Sequence, residues 1–180
     1  MKAIISPVLT LPEDWYARPT LKVAKDLLGC YLHHRLPSGI VFSAQINEVE
    51  AYTADDPACH AFKGQTKRTE IMFGPACRSY VYFIYGMYHC LNVVTEPDGI
   101  PGAVLIRGVN SLSPSGAKLN GPGKLCKYWQ IDREHNGLNL MDSSSPLWIT
   151  KRPSDSKPKI LISTRIGISQ AQDKQWRFYI

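Results

Sequence analysis

Glu48 and Glu50 close the apolar run IVFSAQINEVE, from Ile40 to Glu50. In a strand, residues two apart point to the same face. Two carboxylates on one face are unfavourable unless one is paired, protonated or chemically active. Glu50 lies next to Tyr52, and a carboxylate beside an aromatic pocket can orient a water and take its proton. A salt bridge from Glu50 to Arg68 or Arg107 is the competing explanation. The second candidate group is aromatic: Tyr52, Tyr80, Tyr82, Tyr85 and Tyr88. Flat rings stack on any flat heteroaromatic ring, a nucleobase included, although each tyrosine alone also suits core packing.

Tyr85-Gly86 falls where Tyr80 to Val94 must turn back on itself. Gly86 suits a two-residue hairpin turn, but a large aromatic beside it is unusual there. An apolar side chain at such a tip can wedge into a base stack, or it can fold back onto the domain. Gly121-Pro122-Gly123-Lys124 resembles a phosphate loop but fails its pattern, because Leu125 stands where Ser or Thr is required. A loop that opens a helix with Lys124 in its first turn can still hold one backbone phosphate. Five scattered cysteines, Cys30, Cys59, Cys77, Cys90 and Cys126, contain no Cys-x-x-Cys. They read as reduced thiols of an intracellular protein, with no metal expected despite the adjacent pairs Cys59-His60 and His89-Cys90.

The elements that must position these residues follow from periodicity. Leu21, Ala24, Leu27 and Leu28 recur at helical spacing, so Asp14 to Gly29 predicts a helix. Ile40 to Glu50, Tyr80 to Ile84, Leu91 to Val94, Gly102 to Gly108, Trp148 to Pro153, Lys159 to Ser163 and Trp176 to Ile180 predict strands. Pro122 to Ile131 predicts a short helix with proline near its start. Thr53 to Arg68 and Ser111 to Gly123 read as loops. The order lacks a βαβ rhythm, which points to an α+β fold around an antiparallel sheet. The 180 residues fit one domain, 1–180. A formal net charge of +6 suits a polyanionic partner. No apolar run is long enough to cross a membrane, and Pro7 interrupts any signal-peptide core between Met1 and Thr10.

Taken in order, EVEAY (Glu48 to Tyr52), DDPACH (to His60), GQTKR (to Arg68), MFGP (from Met72), YVYFIYGMYHCLNVV (Tyr80 to Val94), AVLIRG (from Ala103), GPGKLC (from Gly121) and the closing WRFYI resemble the alkyladenine (3-methyladenine) DNA glycosylase family. The resemblance implies a single α+β domain with a curved, mostly antiparallel sheet, surrounding helices and a protruding, DNA-intercalating hairpin. It implies that Glu50 activates water and that Arg107 helps to hold it. Tyr52, His60 and Tyr82 would sandwich a flipped base, and Asn92 would reject the amino group of guanine. Tyr85 would fill the gap in the duplex, and Arg68, Gly123 and Lys124 would meet the DNA backbone. The implied activity is hydrolysis of alkylated or deaminated purines from duplex DNA, leaving an abasic site, by a monomer without cofactor. The cell compartment would be the cytoplasm or nucleoid in a bacterium, or the nucleus in a eukaryote.

The chain departs from the family at Ala76-Cys77-Arg78, where a glycine is usual. The turn there is expected to differ and Cys77 to be exposed. Two rival readings stand beside this one. A non-catalytic binder of distorted duplexes or structured RNA would share the charge, wedge and aromatic pocket, but would not need Glu50. A metal-dependent base-modifying enzyme would use the Cys-His pairs.

Overall fold

The computed structural model describes residues 10–113, 118–152 and 158–180. The signal-peptide reading of the N-terminus, the tip of the 111–123 loop and the Pro153 end of one expected strand fall outside the described residues. The chain runs α1 (Glu13–Tyr16), α2 (Thr20–Leu27), β1 (Tyr31–Arg35), β2 (Val41–Thr53), β3 (Ser79–Ile84), β4 (Tyr88–Val94), β5 (Gly102–Ser113), β6 (Lys118–Asn120), α3 (Pro122–Trp129), β7 (Leu147–Thr150), β8 (Leu161–Ser163) and β9 (Arg177–Tyr179).

The nine strands among the described residues form one antiparallel sheet that curls into a half-barrel, with the path β3-β4-β5-β2-β1-β7. The long strand β2 organises it. Residues 41–45 pair with β1, and Glu48 to Glu50 pair with β9 while β5 runs along the other edge. The strand is long enough to join both ends of the curl because its apolar alternation continues through Ala51 and Tyr52.

Period-2 alternation gives the sheet two different faces. Val81, Leu91, Val93, Val104 and Ile106 point into the main core, against Val23, Ala24 and Leu27 of α2 and Leu125 and Trp129 of α3. The alternate residues, Tyr80, Tyr82, Cys90, Asn92, Leu105 and Arg107, face a cavity instead. The β2–β5 ladder is irregular between Ile46 and Val49. Ile46 pairs with Val109, Glu48 with Gly108 and Val49 with Ile106, which leaves Arg107 without an opposite residue. A bulge of this kind re-aims a side chain, here toward the two glutamates.

Three expectations need correction. The single helix over 14–29 is two, because Pro19 precedes α2 and holds its neighbour out of helical geometry. Pro19 offers no side-chain cap, and Glu96 supplies one from a distance: its Oε1 accepts from the Thr20 amide at 2.6 Å and from the Thr20 hydroxyl at 2.7 Å. The loop from Ser111 is strand at both ends, since β5 continues to Ser113 and β6 returns beside it. Cys77 is fully buried in the main core. Its φ of 61° is the left-handed conformation that a glycine would adopt without strain, and the cysteine fills space inside the turn.

Gly102 opens β5 directly under the Glu96 cap. A Cβ added there would stand 2.4 Å from Thr20 Oγ1 and 2.7 Å from Glu96 Cγ. Gly102→Ala therefore forces the cap apart. Its expected cost is about 1–3 kcal/mol, measured as a shift of the urea midpoint at unchanged slope.

Candidate active site

A cavity of about 600 Å³ opens on the polar face of β3, β4 and β5. Tyr52, His60, Tyr82 and Asn92 line it together, and Tyr85 stands at its edge. Gly123 and Lys124, in the first turn of α3, close another side. Residues from four strands, two loops and a helix start thus converge because the strand alternation sends every second side chain this way.

Glu50 sits behind the wall rather than in the cavity. It has no exposed surface. Its Oε2 accepts from the Tyr52 hydroxyl at 2.7 Å, and its Oε1 accepts from the Ile166 amide at 2.8 Å. Arg107 Nη1 lies 3.3 Å from the same Oε1. The expected salt bridge to Arg107 is therefore present. Arg107 divides its charge, since its Nε also donates to Glu48 Oε1 at 3.2 Å. Glu48 in turn accepts from Arg177 Nε at 2.7 Å. The charges alternate along the row Glu50, Arg107, Glu48, Arg177, so neither carboxylate faces its like without a cation between. Burial, and then the charge on Glu50, push the Tyr52 phenol far above its ordinary range, so it stays a donor at every working pH.

His60 and Tyr82 meet edge-on with centroids 4.5 Å apart, and Tyr80 hydroxyl lies 2.9 Å from His60 Nδ1. Burial, and then the nearby Arg68 charge, lower the His60 pKa to about 4. The residue is exposed at the cavity mouth, and both effects act against the charged ring, so His60 is neutral at pH 7. Asn92 is buried and its Nδ2 donates to the Tyr80 carbonyl at 3.0 Å, which fixes the amide.

Arg68 takes no part in the salt bridge to Glu50. Its guanidinium stands 5.2 Å from the Tyr82 ring centre and the residue is exposed. Gly123 is needed for packing, because a Cβ there would come within 2.9 Å of the Tyr88 ring. Tyr85 is 74% exposed and does not fold back. Its φ is 54° and that of Gly86 is 67°, with Met87 N donating to Ile84 O at 3.3 Å. Ile84 pairs with Tyr88, so Met87 is one residue more than a two-residue turn would leave.

The sequence reading missed Arg165 and Asp56. Both side chains are fully buried and joined by a two-pronged ion pair. Arg165 also donates to the carbonyls of Ala51, at 2.9 Å, and Ala171, at 3.3 Å. Its guanidinium lies 4.7 Å from the Tyr52 ring centre and 5.2 Å from that of Trp176. One arginine therefore ties the His60 loop, the Tyr52 wall and the segment bearing Ile166. Only an isolated arginine beside Ile166-Gly167 marked this in the sequence, and no periodicity attaches to it. All five cysteines are unpaired and buried. Among the described residues, no three His, Cys, Asp or Glu side chains gather as a metal site would require.

A cavity walled by aromatic rings, with Arg107 in its lining and a buried carboxylate behind it, thus lies on one face of an α+β half-barrel. A family model described as Methylpurine-DNA glycosylase (MPG) matches residues 14–180. Among similar proteins, one from Wolbachia pipientis wMel is 52% identical over 93% of this chain and 89% of its own length. One from Rickettsia felis is 47% identical over 98% of this chain and 96% of its own. A third, from Sodalis glossinidius, is 50% identical over 93% of this chain and 95% of its own. All three carry the name of a 3-methyladenine DNA glycosylase. The chain belongs to the methylpurine-DNA glycosylase family, hydrolases of N-glycosyl bonds whose substrate is DNA.

The ion pair at Arg165 makes a stability prediction. Asp56→Asn leaves the guanidinium buried without its counter-charge. Unfolding free energy should fall by about 3–5 kcal/mol, the usual cost of breaking a buried pair from one side. Urea titration of the purified variant measures it.

Proposed function

We propose that this enzyme flips alkylated or deaminated purines, such as 3-methyladenine, 7-methylguanine, hypoxanthine and ethenoadenine, out of duplex DNA and hydrolyses their bond to the sugar. The observation that carries this reading is the buried Glu50 carboxylate, held by Tyr52 and Arg107, which both line the aromatic cavity. In the reaction, water oxygen bonds to the sugar carbon while the carbon–nitrogen bond breaks and its electron pair leaves with the purine. Glu50 takes the water proton, and its charge steadies the positive charge that builds on the sugar. Arg107 helps to hold the water. Tyr52, His60 and Tyr82 grip the flipped base, and the fixed amide of Asn92 rejects guanine.

His60 is neutral at pH 7, so it serves the base by hydrogen bonding and stacking rather than as a charged acid. Cationic lesions leave without a donated proton. Arg68 and Lys124 meet backbone phosphates at the cavity mouth, and Gly123 lets the α3 start approach closely. Among the described residues no lysine stands beside Glu50 to attack the sugar, which supports simple hydrolysis to an abasic site without strand cleavage. The enzyme acts as a monomer in this reading. Among the described residues no helix is long and apolar enough to span a membrane, and the similar bacterial proteins suit work on chromosomal DNA in the cytoplasm.

Glu50→Gln should keep binding to lesion-bearing duplex and slow base release by about 10²–10⁴-fold, the contribution of a lost general base. Single-turnover release and binding curves on the same hypoxanthine duplex measure both. Unchanged release would sink the assignment. Loss of nothing but stability would favour a non-catalytic sensor, in which the Glu50–Arg107 pair is only structural.

Tyr85 is proposed as the wedge that fills the vacated stack. Tyr85→Ser should shift the flipping equilibrium against extrusion by about a few kcal/mol, the scale of unstacking. Ethenoadenine fluorescence in the bound duplex reports it, and equal signals from both proteins would reduce Tyr85 to a surface residue.

A further inference from the structure

Glu50 poses an access problem. The proposed reaction consumes one water per turn, yet the carboxylate has no exposed surface. A flipped purine would fill the aromatic cavity, and the duplex would cover its mouth. Water then has to come from the protein side.

A second cavity of about 730 Å³ adjoins the first, on the Glu48 side of Arg107, and is called the rear cavity. Arg107, Gly121 and Ile166 line both cavities. Arg107 and Ile166 are also two of the three groups that bond to Glu50, at 3.3 and 2.8 Å. The partition between the cavities is thus made of the side chain and backbone that hold the carboxylate. The lining of the rear cavity differs from that of the front. Asn47, Asn110, Ser111 and Asn120 supply amide and hydroxyl groups, and Glu48 and Arg177 complete a polar wall. A water inside a protein needs two to four polar partners and room to sit. The rear cavity is lined with such partners, and a flipped base would leave it open.

Arg107 is built to act at this partition. It is the bulged residue of β5, and it bridges Glu48 on the rear side and Glu50 behind it. A small movement of its guanidinium toward Glu48 keeps one ion pair while uncovering Glu50. Arg177 anchors Glu48 against that movement through its bond at 2.7 Å, and is itself bonded to Ser163 at 3.0 Å.

We infer that the rear cavity is the route by which water reaches Glu50 once DNA has sealed the aromatic pocket, with Arg107 as its inner gate. The inference rests on the proposed role of Glu50. No bond is made or broken in the route itself. It delivers the water whose oxygen adds to the sugar carbon and whose proton passes to Glu50.

The test plugs the rear cavity from its exposed rim. Asn120 and Ile180 line the rear cavity and not the aromatic one, and both are exposed. Asn120→Phe and Ile180→Trp are each compared with the wild type on a hypoxanthine duplex, with methanol added as a second nucleophile. Methanol is larger than water, so a narrowed route should exclude it first. The expected result is slower single-turnover release, a several-fold lower share of methyl glycoside against abasic product, and unchanged duplex binding. Retained binding also shows that the variants are folded. Unchanged rate and unchanged product share in both variants would overturn the route and leave the function of Glu50 standing. Failure of the wild type to release any base would instead bring down the proposed function, and the route with it.

Discussion

A carboxylate without exposed surface has to be met by charge and hydrogen bonds, or it does not stay ionised. Glu50 is met three times, from three separate parts of the chain: Tyr52 on its own strand, Arg107 on β5 and the Ile166 amide on the irregular segment before β9. Those three contacts decide much of the architecture around them. The β5 bulge exists where Arg107 has to reach both glutamates, and β9 closes on β2 where Arg177 has to reach Glu48. The arrangement is costly in desolvation and is repaid only while every partner is in place. This explains why so many long-range contacts converge on one side chain.

The buried Arg165–Asp56 pair extends the same logic outward. Ion pairs of this kind seldom add net stability over well-packed apolar groups. What they fix is relative position. Arg165 binds Ala51, the residue between Glu50 and Tyr52, and the residue after it, Ile166, supplies the amide to Glu50. Asp56 carries the loop that ends at His60. The distance between the two walls of the cavity is therefore set by a charged clamp outside it, not by the packing of the aromatic rings themselves.

Most strands were legible in the sequence because alternation is a local signal, but β1 was not, because its two buried positions are Leu32 and the polar His34. Tyr80, Tyr82 and Ile84 share a face in the letters and share the cavity in the fold. The α2 stripe was equally plain, but its start was not, because the cap comes from Glu96, far away in the chain. Glu50, Arg107 and the tyrosines stood out by residue type, and the order of motifs tied them to a family. Arg165, Asp56 and the amide of Ile166 lie in segments with no period, and their importance comes only from what they touch. Cys77 misled for a related reason. A non-glycine residue at a turn suggested a different, exposed turn, whereas the fold keeps the left-handed backbone and places the thiol in the core.

The Tyr85 turn shows the opposite balance. A bulky residue with positive φ is strained, and an aromatic ring left 74% exposed gains little from folding. Both costs fall on the same residue, and Met87 beside it is exposed as well. Such strain persists only where the surroundings impose it. Here the β3–β4 ladder, running without interruption from Ser79↔Val93 to Ile84↔Tyr88, imposes it. Strain of this kind clusters at functional sites, and the same strands bear the tyrosines of the cavity wall. A tip that the free protein holds at a cost, at the edge of an aromatic-lined pocket, is what the proposed wedge requires. A wedge of that kind has to be rigid before it meets a base stack, because ordering it there would consume the energy needed to open the duplex.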